Sequence, residues 1–432
     1  MSLLVVLAIA VAIALGYITR INIGLFAIAF AYIIGCFVMG LKPGEIIELW
    51  PLKIFFVIFA VCLFYSFAMI NGTLEKMAEH LLYRCRNVPH LLPYAVFFTA
   101  TLIAGMGAGY YTVLAFMAPL TLILCRRTGM GLILGGLAVN YGALTGANFV
   151  SSQSGIIFRG LMVNAGVPED QAFLNAFAIF IATLVVPLVV ISLFVFFSRK
   201  NRATHNGDLS SVEVPGPLAR QQKITLALTL SMMAIVLAAP LATIIFPGNP
   251  TVRFINSKID IGLIASVFSV IALLLKLGDG KKAVASLPWD TLIMICGMGM
   301  LISVAIKAGA IDQLSHFISG NVPVVLVPII LGIVAAIMSL FASTLGVVTP
   351  ALFPTVPALA SSLSIDPMLL FVAIVLGSQA TSISPFSSGG SLILGSAPDE
   401  ARHSLFSDLL LRAAPTGFAA ALIANVVITF AL

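Results

Sequence analysis

The sequence predicts an all-α polytopic membrane protein built as two inverted-topology repeats, each of five transmembrane spans and one re-entrant hairpin. Three observations carry this prediction. Of the 432 residues, 60% are hydrophobic and only 9% charged, where a soluble domain carries about 25% charged residues. The one long polar stretch, 199–222, lies near the midpoint of the chain. Short motifs recur in the same order on either side of it. The boundaries follow: a first repeat at 1–198, a cytoplasmic linker at 199–222 and a second repeat at 223–432.

Apolar stretches of about 20 residues can cross a bilayer. Continuous spans are expected at 2–18, 22–41, 51–70, 170–198, 224–246, 259–277, 289–307 and 409–431. The stretch 2–18 has no basic start and no small-residue cleavage site, so it reads as a retained span rather than a signal peptide. Two further spans are interrupted. The first, 129–164, contains NFVSSQSG (Asn148–Gly155), and the second, 368–397, contains SPFSSGGS (Ser384–Ser391). Regions 93–125 and 322–362 each hold two apolar stretches of about 14 residues, reaching only about 21 Å as helix against a hydrocarbon core of about 30 Å. Each is expected to enter and turn back, with tips at GMGAGYYT (Gly105–Thr112) and ASTLGVVT (Ala342–Thr349). Ahead of each hairpin stands an amphipathic segment, marked by Leu74, Met77, Leu81 and Leu82 and by Ile311, Leu314, Phe317 and Ile318. Both read as interfacial helices.

The repeat rests on INIGL at 21–25 and IDIGL at 259–263, Trp50 and Trp289, Gly72 and Gly309, Pro119 and Pro354, and Ser151-Ser152 and Ser387-Ser388. Their offsets stay between 235 and 239 residues. An odd number of spans per repeat inverts the second half, and the charges agree. With residue 1 outside, sixteen lysines and arginines face the cytoplasm, among them Arg20, Lys76, Arg126, Lys281 and Arg402. Six face outward: Lys42, Lys53, Arg159, Arg253, Lys258 and Lys307. That bias obeys the positive-inside rule and puts both termini outside. It also accounts for the net charge of +6 without nucleic acid as a partner.

The tips and breaks are where chemistry can occur. Unwound backbone in hydrocarbon costs several kcal/mol per unsatisfied group unless something completes it. Half-helix N-termini offer N–H groups to an anion, while freed carbonyls and hydroxyls suit Na⁺. All sixteen acidic residues lie outside these four segments, and so do all lysines and arginines. A proton relay would use intramembrane carboxylates, so Na⁺ held by neutral oxygens is favoured. The five histidines (His80, His90, His205, His316, His403) lie in loops or interfacial segments, which leaves Ser154 no partner for intramembrane hydrolysis. A channel would not need paired hairpins. The five scattered cysteines (Cys36, Cys62, Cys85, Cys125, Cys296) have no metal spacing and read as packing residues.

The stretches GMGAGYYTVLAFMAP (105–119), LPWDTLIMICG (287–297), FASTLG (341–346) and SISPFSSGG…SAPDEAR (382–402) resemble the MatC-type dicarboxylate (malonate) carriers, within the divalent-anion/Na⁺ symporter superfamily. The similarity covers essentially the whole chain and is strongest in the second half. It implies an inner-membrane secondary transporter that works as a homodimer by an elevator mechanism, importing malonate or a C4-dicarboxylate such as succinate, malate or fumarate with Na⁺. The alternative is a proton-coupled or exchange carrier of citrate, tartrate or sulfate. The family's Ser-Asn-Thr-like tip matches Ser343-Thr344. The first repeat departs from it at Ala108-Gly109-Tyr110-Tyr111, which sets the tyrosines to narrow the pocket, and Phe149 stands where the second break keeps Pro385. Expected substrate contacts are Gly109, Tyr110, Tyr111, Asn148, Ser151, Ser152, Gln153, Ser343, Thr344, Ser387, Ser388 and Gly389. Expected Na⁺ ligands are Gly105, Gly107, Asn148, Ser151, Ser343, Thr344, Gly346, Ser384 and Ser387. No other cofactor is expected.

Overall fold

The computed structural model describes residues 2–431 apart from 20, 85–90, 199–214, 247–248, 311–312, 314–317, 319 and 340–342, and within them every element is helical. Helices α1 (Ser2–Thr19), α2 (Ile23–Tyr32, continued by a π-helical turn at Ile33–Val38), α3 (Pro43–Glu48), α4 (Leu52–Ile70) and α5 (Thr73–Arg84) come first. The first hairpin is α6 (Leu92–Ile103), a π-helical tip at Ala104–Ala108, and α7 (Tyr110–Thr128). The first interrupted span is α8 (Leu132–Ala147) and α9 (Gln153–Asn164), followed by α10 (Glu169–Ser198). Beyond the linker lie α11 (Arg220–Ile245), α12 (Pro250–Lys258), α13 (Ile261–Leu274), α14 (Gly280–Ala285) and α15 (Trp289–Lys307). The second hairpin region holds α16 (Val327–Ser339), a π-helical turn at Thr344–Val348, α17 (Thr349–Leu352) and α18 (Val356–Leu363). The second interrupted span is α19 (Pro367–Ala380) and α20 (Ser388–Gly395). The chain ends with α21 (Asp399–Asp408), a π-helical turn at Leu409–Ala413, and α22 (Ala414–Ala431).

Local chemistry explains the boundaries. Asn22, Asp260, Asp279 and Asp366 each accept a backbone N–H in the first turn of α2, α13, α14 and α19, which satisfies donors that helix geometry leaves free. The second arm of the second hairpin is not the single apolar helix expected. Pro350, Pro354 and Pro357 remove three N–H donors, and the arm divides into α17, a 3₁₀ turn at Phe353–Thr355, and α18. The short helices α3, α12, α14 and α21 were also not expected from hydropathy, because none is long enough to span. α12 meets α13 at a 62° bend. Cys36, Cys62, Cys125 and Cys296 are free thiols in apolar surroundings. Cys85, Ile311, Leu314, Phe317, Ala342 and linker residues 199–214 lie outside the described residues.

Phe37, Leu52, Phe196, Leu274 and Phe430 are each more than two-thirds exposed, an apolar exterior suited to lipid. Among the described residues six helices are long and apolar enough to cross a bilayer. Both arms of the first hairpin, the first arm of the second and the first halves of both interrupted spans are shorter apolar helices, whereas the second arm of the second hairpin, Thr344–Leu363, is one of the six and longer than the expected stretch of about 14 residues. The protein is a multi-pass membrane protein.

Packing exchanges pieces between the two ends of the sequence. The α9 ring of Phe158 meets Phe353 at 5.8 Å, and Phe353 meets Phe371 of α19 at 4.7 Å. Conversely, α20 packs on α7, with Ile393 buried in the core formed by α6, α7 and α8. Close crossings recur as well. α8 crosses α6 where a Cβ on Gly142 would lie 2.4 Å from the Phe97 carbonyl, and α19 crosses α16 where one on Gly377 would lie 2.0 Å from the Gly332 carbonyl. Both members of the second contact stand 235 residues after those of the first.

Candidate functional site

Each interrupted span leaves its helix where the sequence turns polar. α8 stops at Ala147, and α9 resumes at Gln153. α19 stops at Ala380, and α20 starts at Ser388. The second break is therefore 381–387, earlier than the expected 384–391. Ser388–Ser391 is helical because Ser387 caps it, its Oγ accepting from Gly390 N at 3.1 Å. The Ser387 hydroxyl also lies within donating reach of the Ser382 and Ser384 carbonyls, at 2.5 and 2.7 Å. Glycine at 155 and 390 lets each break fold over the helix that follows. A Cβ there would lie 2.2 Å from the Phe149 carbonyl and 2.0 Å from the Ser384 carbonyl, respectively.

The two breaks meet. Asn148 and Gln379 exchange amide hydrogen bonds of 2.9 and 3.0 Å, and Asn148 also donates to Thr183 Oγ1 at 3.1 Å. The Tyr141 hydroxyl donates to the Ala380 carbonyl at 2.7 Å. Tyr110 donates to Asn140 Oδ1 at 2.6 Å, and Asn140 donates to Ser382 Oγ at 3.0 Å. Paired amides of this kind satisfy buried polar groups without charge. They also bring the end of α8, the end of α19 and the start of α7 to one place.

The tips approach the same region differently. Gly107 and Gly109 adopt positive φ, +93° and +74°, a backbone that favours glycine. Ser152 ties the first tip to the first break by donating to the Ala104 carbonyl at 2.6 Å. Gln153 Oε1 lies where a Cβ on Gly109 would meet it at 2.4 Å, and the Tyr110 hydroxyl stands against Gly389 in the same way. Tyr111 is 43% exposed and packs on Tyr110, centroids 4.8 Å apart. The ring of Tyr65 fills the space beside Gly107, while Gly105 faces α8 near the Gly146 carbonyl. In the second tip, Ser343 Oγ accepts from Gly346 N at 3.3 Å, and Thr344 donates to the Ser378 carbonyl at 3.0 Å. Ser384 is buried, and its Oγ lies 3.4 Å from Phe386 N. The Ser388 side chain lies outside the described atoms.

Two features of the site remain open for chemistry. Ser151 Oγ in the first break and Thr381 Oγ1 in the second are buried and have no hydrogen-bond partner. A buried hydroxyl left so costs about 1–3 kcal/mol. The N-terminus of α9 is also uncapped by any side chain, because Ser152 spends its hydroxyl on Ala104. Its first N–H groups and the helix dipole suit an anion, whereas the start of α20 is already capped. Among the described residues no cluster of three or more His, Cys, Asp or Glu could hold a metal ion.

The sequence reading missed Asn140, Tyr141, Gln379, Thr381 and Ser382. Asn140, Tyr141 and Gln379 sit within apolar runs, while Thr381 and Ser382 stand at the edge of the SISPFSSGG cluster, just ahead of the expected break. The readable signal was a side-chain amide inside each half-helix, Asn140 in α8 and Gln379 in α19, since an amide at membrane depth needs a partner.

Comparison with known proteins now bears on this geometry. The family described as "Dicarboxylate carrier protein MatC N-terminus" matches residues 1–147 and 251–382, more than half of the chain. Two solved transporters share the fold. The Alcanivorax borkumensis YdaH transporter aligns with TM-score 0.59 and 17% identity, covering 90% of this chain and 87% of its own. Neisseria gonorrhoeae MtrF, described among antimetabolite efflux pumps, aligns with TM-score 0.56 and 15% identity, covering 90% of this chain and 83% of its own. A search of curated protein sequences finds no match. Family and structural neighbours are transporters rather than enzymes. Helices broken at polar sequence, hairpins meeting them, and this family match together make the chain a member of the MatC family of dicarboxylate carriers.

Proposed function

We propose that the protein imports a small dicarboxylate, malonate or a C4 acid, across the cytoplasmic membrane by Na⁺ symport, as a homodimer working by an elevator motion. The observation that carries the reading is the pair of buried, unpartnered hydroxyls, Ser151 Oγ and Thr381 Oγ1, one in each of two breaks that touch. One substrate carboxylate rests on the free N–H groups of α9 beside Ser151. The other lies toward the second break and Thr381. With no arginine or lysine in either break, the anion's charge is offset by helix dipoles and a co-transported cation. Na⁺ would use hydroxyl and carbonyl oxygens of Ser343, Thr344 and the 381–387 break, and of the first tip beside the 148–152 break. Both termini are outside, and residues 1–198 and 223–432 act as inverted repeats. Supporting this are the recurrent glycine crossings at an offset of 235 residues.

The deciding experiment is uptake into proteoliposomes of labelled malonate, succinate, malate, fumarate, citrate, tartrate and sulfate, with and without an inward Na⁺ gradient. Accumulation of one of the small dicarboxylates that collapses without Na⁺ is expected. Accumulation that follows a proton gradient and ignores Na⁺ overturns the coupling. Transport of only sulfate, tartrate or citrate overturns the substrate.

A further inference from the structure

A cavity of about 360 Å³ lies between α4, α9, α10, α11 and α13, with Lys53, Ile156, Arg159, Glu169, Phe173 and Asp260 in its lining. The first residues of α4, α10 and α13 line it together with the end of α9, so it opens at one face of the helix bundle. Lys53 and Glu169 at the mouth are 61% and 68% exposed. Its inner wall reaches Ile156, four residues past Ser152, or about 6 Å of helix from the first break.

Arg159 carries the partly buried positive charge of this cavity, with the carboxylates of Glu169 and Asp260 near enough to act on it but not hydrogen-bonded to it. Its Nε is buried and has no hydrogen-bond partner, and its guanidinium lies 5.3 Å from the centre of the Phe173 ring. Two carboxylates of the lining have partners of their own. Glu169 pairs with Lys53, and Asp260 accepts from Leu263 N at 2.9 Å as the cap of α13. A third, Asp170, stands in the first turn of α10, where the helix dipole favours it. Phe173 holds one face of the guanidinium plane, which leaves its edge for a ligand. That edge is a fork of donors matched to a carboxylate.

We infer that this cavity is an antechamber that takes a carboxylate anion on Arg159, about two helical turns from the first break. The inference deepens the proposed function and rests on it only for the statement that this anion is the transported dicarboxylate. The aromatic wall and apolar floor accept the short carbon chain, and the volume lies within the range of small-ligand pockets. One substrate can wait on Arg159 while another occupies the breaks.

The test reads Arg159 directly. Purified full-length protein is treated with phenylglyoxal, and modification of Arg159 is followed by mass spectrometry in malonate, in succinate, or in choline chloride of equal ionic strength. Malonate or succinate is expected to slow modification at Arg159 several-fold, with choline chloride without effect. Equal rates in all three, or equal protection by choline chloride, overturn the antechamber. In R159Q the apparent KM for uptake is expected to rise roughly tenfold, the worth of one charged hydrogen-bonded contact, and R159K to recover part of it. A KM unchanged in R159Q also overturns the inference. Uptake without protection removes the antechamber alone, and protection without uptake removes the transport reading alone.

Discussion

Two serines 236 residues apart, one in each break, do different work in this site. Ser151 Oγ is buried without a partner, whereas Ser387 Oγ caps α20 and serves two carbonyls of its own break. Replacing Ser151 removes no hydrogen bond from the folded protein. S151A is therefore expected to keep its melting temperature in detergent while uptake falls markedly; parallel thermal and transport assays read both. Normal uptake by S151A would remove this serine from the substrate path. For S387A the order reverses. Loss of the cap and of the one donor shared between the Ser382 and Ser384 carbonyls costs about 1–2 kcal/mol, so a lowered melting temperature is expected along with lost uptake. Thr381 resembles Ser151 in having no partner, and T381V is expected to copy S151A rather than S387A.

At the level of helices, the Asn148–Gln379 amide pair fastens the end of α8 to the end of α19. Removing either amide strands the other in a dry setting. Q379L and N148L are each expected to cost about 1–3 kcal/mol, and the double variant less than their sum. A double-mutant cycle of unfolding midpoints checks this, and strict additivity would show the pair to be uncoupled. Helix crossings make a second prediction. G377A puts a methyl group 2.0 Å from the Gly332 carbonyl, a backbone atom that cannot turn aside, so well-dispersed protein on fluorescence-detected size exclusion is expected to be lost. The two helix interruptions were readable from Gly/Ser/Pro clusters in apolar runs, because these are local signals. The amide pair was not readable, because Asn148 and Gln379 lie 231 residues apart and only folding brings them together. The shift of the second break to 381–387 was hidden for a related reason. Whether Ser387 ends a loop or starts a helix depends on where its hydroxyl points, and composition does not encode that.

The two ends of the sequence complete each other across the whole molecule. α9 of the first half lies against Phe353 of the second, and Ile393 of the second half fills the core around α6, α7 and α8. Expressed alone, residues 1–198 are therefore expected to be degraded or aggregated, and co-expression with 199–432 to recover membrane-inserted protein; immunoblots of membrane fractions would decide. This interleaving also bears on biogenesis. While the ribosome is still making the second half, the earliest helices already sit in the membrane with Phe158 uncovered and a vacant slot where Ile393 belongs. The nascent protein must wait in that unfinished state, shielded by lipid or an insertase, until nearly its last helices arrive to close it.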